Sequence, residues 1–183
     1  MKVLVPFAEG FEEIEATSIV DVLRRAMMDV VTVSITGNRD VKGSHGMTIT
    51  TDSLIESINS SDFECIALPG GMPGSSNLRE HEGVIQAIRE IHGRNKLVAA
   101  LCAAPIVLAR AGIISGKKVT CYPGFVEELG DALYTGEPVE QDETIVTGRG
   151  PGCAIPFALK IVELADGPDT ATNLKDSMQV YWM

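Results

Sequence analysis

Basic residues are scarce in this chain of 183 residues: Lys and Arg number 15 against 25 Asp and Glu, for a net charge of -10. That balance repels phosphate backbones and anionic bilayers alike, so neither nucleic acid nor membrane is an expected partner. Long apolar runs are missing as well. Nowhere do about 18 apolar residues follow one another, so no membrane span is expected. The amino-terminal run Val3-Leu4-Val5-Pro6-Phe7-Ala8 is too short for a signal-peptide core. The expectation is a cytoplasmic protein. Cysteine is sparse and scattered, at 65, 102, 121 and 153, with no C-x-x-C pair and no histidine at ligand spacing. This excludes a disulfide framework and predicts no metal site. There is no P-loop lysine and no dinucleotide fingerprint, and no cofactor is expected. Repeats and linkers are absent too. Histidine is limited to His45, His81 and His92, none of which follows Cys102, so the Cys-His-Glu order of a peptidase or amidotransferase is missing. His81 and His92 read as surface residues, and His45 as the tip of a hairpin.

What is present is a composition 45% hydrophobic, enough for one substantial core and one domain over residues 1-183. Strand-like and helix-like runs alternate throughout, the pattern of an α/β sheet with helices on its faces. Strands are predicted over 1-7, 30-36, 64-68, 97-101, 118-122 and 143-147. Helical spacing covers 14-28, 83-93, 105-111 and 153-165. Residues 41-52, with a turn at Ser44-His45-Gly46, read as a small β-hairpin. Open sheets of this kind bind ligands outside the carboxyl ends of their strands. Four unusual loops follow such ends and should meet on one rim: Glu9-Gly10-Phe11-Glu12, Pro69-Gly70-Gly71, Cys102-Ala103-Ala104 and Gly148-Arg149-Gly150-Pro151-Gly152.

Cys102 stands where the strand 97-101 stops and the helix near Pro105 begins, among Ala99, Ala100, Ala103 and Ala104. Small neighbours permit the tight turn that lifts a nucleophile above a sheet, and a helix amino terminus behind the sulfur is expected to lower its pKa. The alternative is a small buried hydrophobe, which is the reading for Cys65, Cys121 and Cys153. Glu15 shares a helical stripe with Ile19, Val22, Leu23 and Ala26, the face that should pack on the sheet. A carboxyl there must find a partner or stay protonated, and near Cys102 it could act as general acid and base. Glu12 and Glu13 read instead as acids that favour a helix start and face solvent. The amides of Gly71 and Ala103 could together form an oxyanion hole.

The segments Glu9-Gly10-Phe11-Glu12-Glu13-Ile14-Glu15, Leu68-Pro69-Gly70-Gly71, Ala99-Ala100-Leu101-Cys102-Ala103-Ala104-Pro105 and Thr147-Gly148-Arg149-Gly150-Pro151-Gly152 together resemble the ThiJ/PfpI superfamily. More narrowly, they resemble its branch around a parkinsonism-associated protein and its bacterial relatives, over essentially the whole chain. The resemblance implies a flavodoxin-like three-layer sandwich with a mostly parallel sheet, usually a homodimer, with Cys102 as oxidation-sensitive nucleophile and Glu15 as its protonated partner. It implies either a cofactor-independent glyoxalase or deglycase acting on a small aldehyde such as methylglyoxal, or a redox sensor or chaperone with client proteins in which Cys102 becomes sulfinic acid. Two positions depart from the wider pattern. Tyr122 stands where part of the family has a histidine, leaving a phenol to bind substrate. Ala103 stands where the protease-like branch has one, which argues against peptidase activity. The hairpin around His45 and the pair Arg24-Arg25 fit a two-fold interface.

Overall fold

The computed structural model describes residues 1-181. In chain order its elements are β1 (Lys2–Phe7), α1 (Glu13–Arg25), β2 (Asp29–Ser34), β3 (Asp40–Lys42), β4 (Thr48–Thr50), β5 (Ser53–Leu54), β6 (Cys65–Leu68), α2 (Gly74–Glu80), α3 (Glu82–Gly93), β7 (Leu97–Leu101) and α4 (Pro105–Ala111). These are followed by β8 (Lys118–Val119), β9 (Leu133–Tyr134), β10 (Val139–Asp142), β11 (Ile145–Gly148), α5 (Ala154–Asp166) and α6 (Pro168–Ser177). Seven strands form one sheet in the order β10-β11-β7-β6-β1-β2-β5. All its pairings are parallel except β10 on β11. The five central strands give the flavodoxin-like order, with the switch point between β1 and β6.

Both faces of the central strands are covered, and their side chains alternate accordingly. On β6, Cys65 and Ala67 join the core that α1 and α5 cover, while Ile66 and Leu68 join the core under α3 and α4. Neighbouring β7 repeats the division, with Ala99 and Leu101 on the first side and Val98 and Ala100 on the second. The expected hairpin is present as β3 and β4, antiparallel, with Val41 opposite Ile49. No helix among the described residues is long and apolar enough to cross a membrane.

Several expected boundaries move, for local reasons. The strand predicted over 118-122 keeps only Lys118 and Val119, and it pairs with β9 in a separate two-stranded sheet. Beyond it the Thr120 amide donates to the Thr147 hydroxyl and the Tyr122 amide to the Cys102 carbonyl, and Pro123 has no amide to offer. Glu143, with φ 53°, belongs to the turn into β11 and not to the strand. The predicted helix 14-28 stops at Arg25 because Met27 takes a left-handed φ of 59°. Its amide donates to the Arg24 carbonyl and that of Met28 to the Leu23 carbonyl, the double bond of a Schellman motif. Asn95, Gly112 and Gln179 end α3, α4 and α6 in the same way.

Met27 is 90% exposed and pays for a conformation that glycine adopts freely. Met27→Gly is expected to stabilise the protein by about 1 kcal/mol, raising Tm by roughly 2–4 °C in thermal unfolding. An unchanged or lowered Tm would contradict this account of the helix end.

Candidate active site

The four rim loops do converge. The Cys102 amide donates to the Gly148 carbonyl at 2.8 Å, and the Glu12 amide to the Gly70 carbonyl at 2.9 Å. The Gly74 amide donates to the Gly10 carbonyl at 3.3 Å, so the loops after β1, β6, β7 and β11 are tied together at the carboxyl edge, next to the switch point. Cys102 is the first residue past β7 and has φ 62°, a left-handed conformation that costs a non-glycine residue about 1–2 kcal/mol. This is the strained strand-to-helix turn of a nucleophile elbow. The residue is buried, 8% of its surface being exposed.

Glu15, in the first turn of α1, has no exposed surface. One carboxyl oxygen, Oε2, accepts the Gly70 amide at 2.7 Å. The other, Oε1, is buried without a hydrogen-bond partner, and the thiol of Cys102 faces the carboxyl. Burial raises the Glu15 pKa to about 7, against the opposing pull of the Cys102 thiol and the Gly70 amide and with a smaller upward push from Glu12. The closeness depends on Gly70: a Cβ there would lie 2.7 Å from Glu15 Oε2 and 2.8 Å from Cys102 Cβ. The sequence places Gly70 on a rim loop without marking this role, which depends on the side chains that meet there.

The thiol itself departs from expectation. Burial, and then the neighbouring Glu15 carboxylate, push the Cys102 pKa above that of an ordinary cysteine, where a helix amino terminus was expected to lower it. The amides of Gly71 and Ala103 do point at the sulfur and favour thiolate, but burial outweighs them. Thiol and carboxyl therefore form a coupled pair, in which the protonation of each shifts that of the other. The remaining cysteines are also free. Burial pushes Cys65 up to about 12 and Cys121 up to about 11, whereas Cys153 is half-buried and not part of the core as expected.

Tyr122 lies on the rim, 49% exposed, tied to Cys102 through its backbone amide and close to Gly150. Glu12 and Glu13 do not face solvent, correcting their sequence reading. Glu12 caps α1 by accepting the Glu15 amide at 2.7 Å, and Glu13 reaches the hairpin tip. With His45 they are three potential metal ligands within 4.8 Å of one another. The imidazole Nδ1 already hydrogen-bonds Glu13 at 2.8 Å, and Glu13 also accepts from Ser44 and from two backbone amides. His81 is half-buried and caps α3, its ring nitrogen accepting the Val84 amide.

Fold and site together define a doubly wound α/β domain carrying a cysteine on a nucleophile elbow beside a buried carboxyl. The family model for the DJ-1/PfpI family matches residues 1–164. The chain is 38% identical over 175 residues to Protein DJ-1 homolog B of Arabidopsis thaliana, covering 94% of this chain but 40% of that protein. Against the Parkinson disease protein 7 homolog of Danio rerio it is 36% identical over 178 residues, 95% of this chain and 94% of the other. The structure of oxidized DJ-1 from Toxoplasma gondii superposes with a TM-score of 0.94 at 37% identity, covering 98% of this chain and 99% of that one. This chain belongs to the DJ-1/PfpI family, and within it to the DJ-1 branch.

The raised Glu15 pKa has a consequence for stability. Between its unfolded value of 4.5 and its folded value of about 7 the folded state holds the extra proton, so stability is greatest at the acid end and falls as pH rises through that window. The unfolding free energy from urea titration should drop between about pH 5 and pH 7 by on the order of 2 kcal/mol, and the drop should largely vanish in Glu15→Gln. An equal drop in both proteins would show that Glu15 is not its source.

Proposed function

We propose that this protein is a cofactor-independent glyoxalase or deglycase for small 2-oxoaldehydes such as methylglyoxal, acting in carbonyl and oxidative stress defence. The observation that carries the reading is the coupled pair: a buried carboxyl titrating near 7 against a thiol on a strained elbow, with two amides aimed at the sulfur. In this mechanism Glu15 carboxylate takes the Cys102 proton as sulfur adds to the aldehyde carbon, giving a hemithioacetal. The amides of Gly71 and Ala103 hold the new oxyanion, which then takes that same proton back from Glu15, restoring its carboxylate. Glu15 next moves the proton from the former aldehyde carbon to the adjacent carbonyl carbon by way of an enediol, oxidising the first and reducing the second. The product is a thioester of lactate, and water hydrolyses it to lactate and free thiol. Tyr122 contacts the substrate from the rim.

A second reading is favoured by the orphaned Glu15 Oε1, which, when protonated, could donate to an oxygen carried by Cys102. Here two molecules of peroxide oxidise the thiol to sulfinic acid and are reduced to water, and the protein acts as a redox sensor or redox-regulated chaperone for client proteins. The oxidized Toxoplasma relative is consistent with this. Four free cysteines suit a reducing, cytoplasmic setting.

Incubation with methylglyoxal should yield lactate, with none from Cys102→Ala and a kcat lower by about 100-fold or more in Glu15→Gln. Lactate from Cys102→Ala would sink the enzymatic reading. Negligible lactate from the parent, together with two oxygens added at Cys102 on peroxide titration by intact mass, would move the function to the sensor.

We also propose a homodimer. Ile14 and Met47 are more than half exposed, at the start of α1 and beside the hairpin tip, and an apolar pair there suits an interface. Sedimentation velocity at about micromolar concentration should give the dimer mass, and a monomer there would remove this part of the reading.

A further inference from the structure

We infer that the tip of the β3–β4 hairpin, by gripping Glu13, positions Glu15 at Cys102, which makes Glu13 a positioning residue for the chemistry of that pair. The inference rests on the reading that Glu15 and Cys102 act together.

The first turn of α1 carries three acids that do three different things. Glu12 caps the helix, Glu15 turns inward to Cys102, and Glu13 turns toward the hairpin. Glu13 is only 5% exposed, and its carboxylate is surrounded by donors from a segment about thirty residues away. The backbone amides of His45 and Met47 reach Oε1 at 2.6 and 3.4 Å. The Ser44 hydroxyl and His45 Nδ1 reach Oε2 at 3.2 and 2.8 Å. These donors hold the carboxyl at about 2, well below the usual carboxylate range, despite its burial. Gly43 makes room for the contact, since a Cβ there would lie 2.4 Å from Glu13 Oε1.

The hairpin needs this anchor as much as the helix does. Its strands are three residues each and form a sheet of their own, which is marginal without tertiary support. Two backbone bonds add to the anchor, from the Gly10 amide to the Lys42 carbonyl and from the Ser44 amide to the Phe11 carbonyl, both at 2.8 Å. Hairpin tip, rim loop 10-11 and the start of α1 are thus one hydrogen-bonded unit, and Glu15 stands two residues beyond its anchor point. On the opposite side the start of α1 is tied to Gly70 through the Glu12 amide, and Glu15 itself holds the Gly70 amide. Removing the grip on Glu13 leaves the hairpin tied only to the loop before α1, and the first turn itself held from the Gly70 side alone. A displacement of a fraction of an ångström at Glu15 is enough to disturb proton transfer.

The test compares Glu13→Ala, Glu13→Gln and a distant control, Ile88→Val, which loosens the core on the opposite face of the sheet. Two quantities are read: the pH midpoint of Cys102 alkylation by iodoacetamide, and kcat with KM for methylglyoxal. Glu13→Ala is expected to move the alkylation midpoint by about half a pH unit or more and to lower kcat about tenfold, with KM within about twofold. Glu13→Gln, which keeps an oxygen for the two amides, should recover kcat to within about threefold of the parent. Ile88→Val should lower Tm and leave the midpoint in place. The inference is overturned if Glu13→Ala keeps the parental midpoint, or if Ile88→Val shifts it equally. Should Glu13→Ala fail to fold, His45→Ala decides: a moved midpoint supports the inference and an unmoved one overturns it. Absence of lactate throughout would count against the aldehyde reading alone, because the alkylation profile still decides this one.

Discussion

A carboxyl group with no surface open to water sits beneath a thiol, and the architecture around them exists to make that tolerable. An unpaired buried carboxylate is costly, yet Glu15 has only one firm hydrogen bond, from the Gly70 amide. The carboxyl responds by holding its proton up to about neutrality, and it raises the thiol in turn. Neither group can be described alone. A change in the protonation of one is felt by the other across a gap that Gly70 keeps narrow by having no side chain.

The sheet supplies the rest. Because β1, β6, β7 and β11 are parallel neighbours, their carboxyl ends open on one side and four loops far apart in sequence meet there. The switch point between β1 and β6 sends the two chains to opposite faces, and the Glu12–Gly70 backbone bond closes the gap that results. The helix carrying Glu15 and the elbow carrying Cys102 thus approach from different directions. No local segment could supply both groups in this geometry.

Features encoded locally were legible in the sequence. Cys102 was marked by its place between an apolar strand and a proline-started helix, and Glu15 by its place on the stripe of Ile19, Val22 and Leu23, all of which are buried. Features set by distant partners were not. β10 reads Val-Glu-Gln-Asp and is an edge strand, so it lacks the apolar alternation of a covered one. α2 begins Gly-Ser-Ser, and α6 is polar with Ala171 its one buried residue, so neither shows a clear apolar stripe. The burial of Glu13 follows from a hairpin about thirty residues away and leaves no trace in its own neighbourhood. The direction of the Cys102 shift failed to emerge for a related reason. Helix position can be read from spacing, while the depth of a sulfur and the charge beside it depend on the assembled rim.

The backbone at Cys102 sets a conflict for laboratory evolution. A left-handed φ of 62° suits glycine best, so at this position a screen for thermal tolerance alone would reward loss of the sulfur. Glu15 invites the same exchange, since an uncharged residue of similar shape would be easier to bury. A library sorted only for robustness should therefore drift toward a sturdier and chemically silent fold. To keep the thiol and carboxyl together, the selection must score the thiol directly.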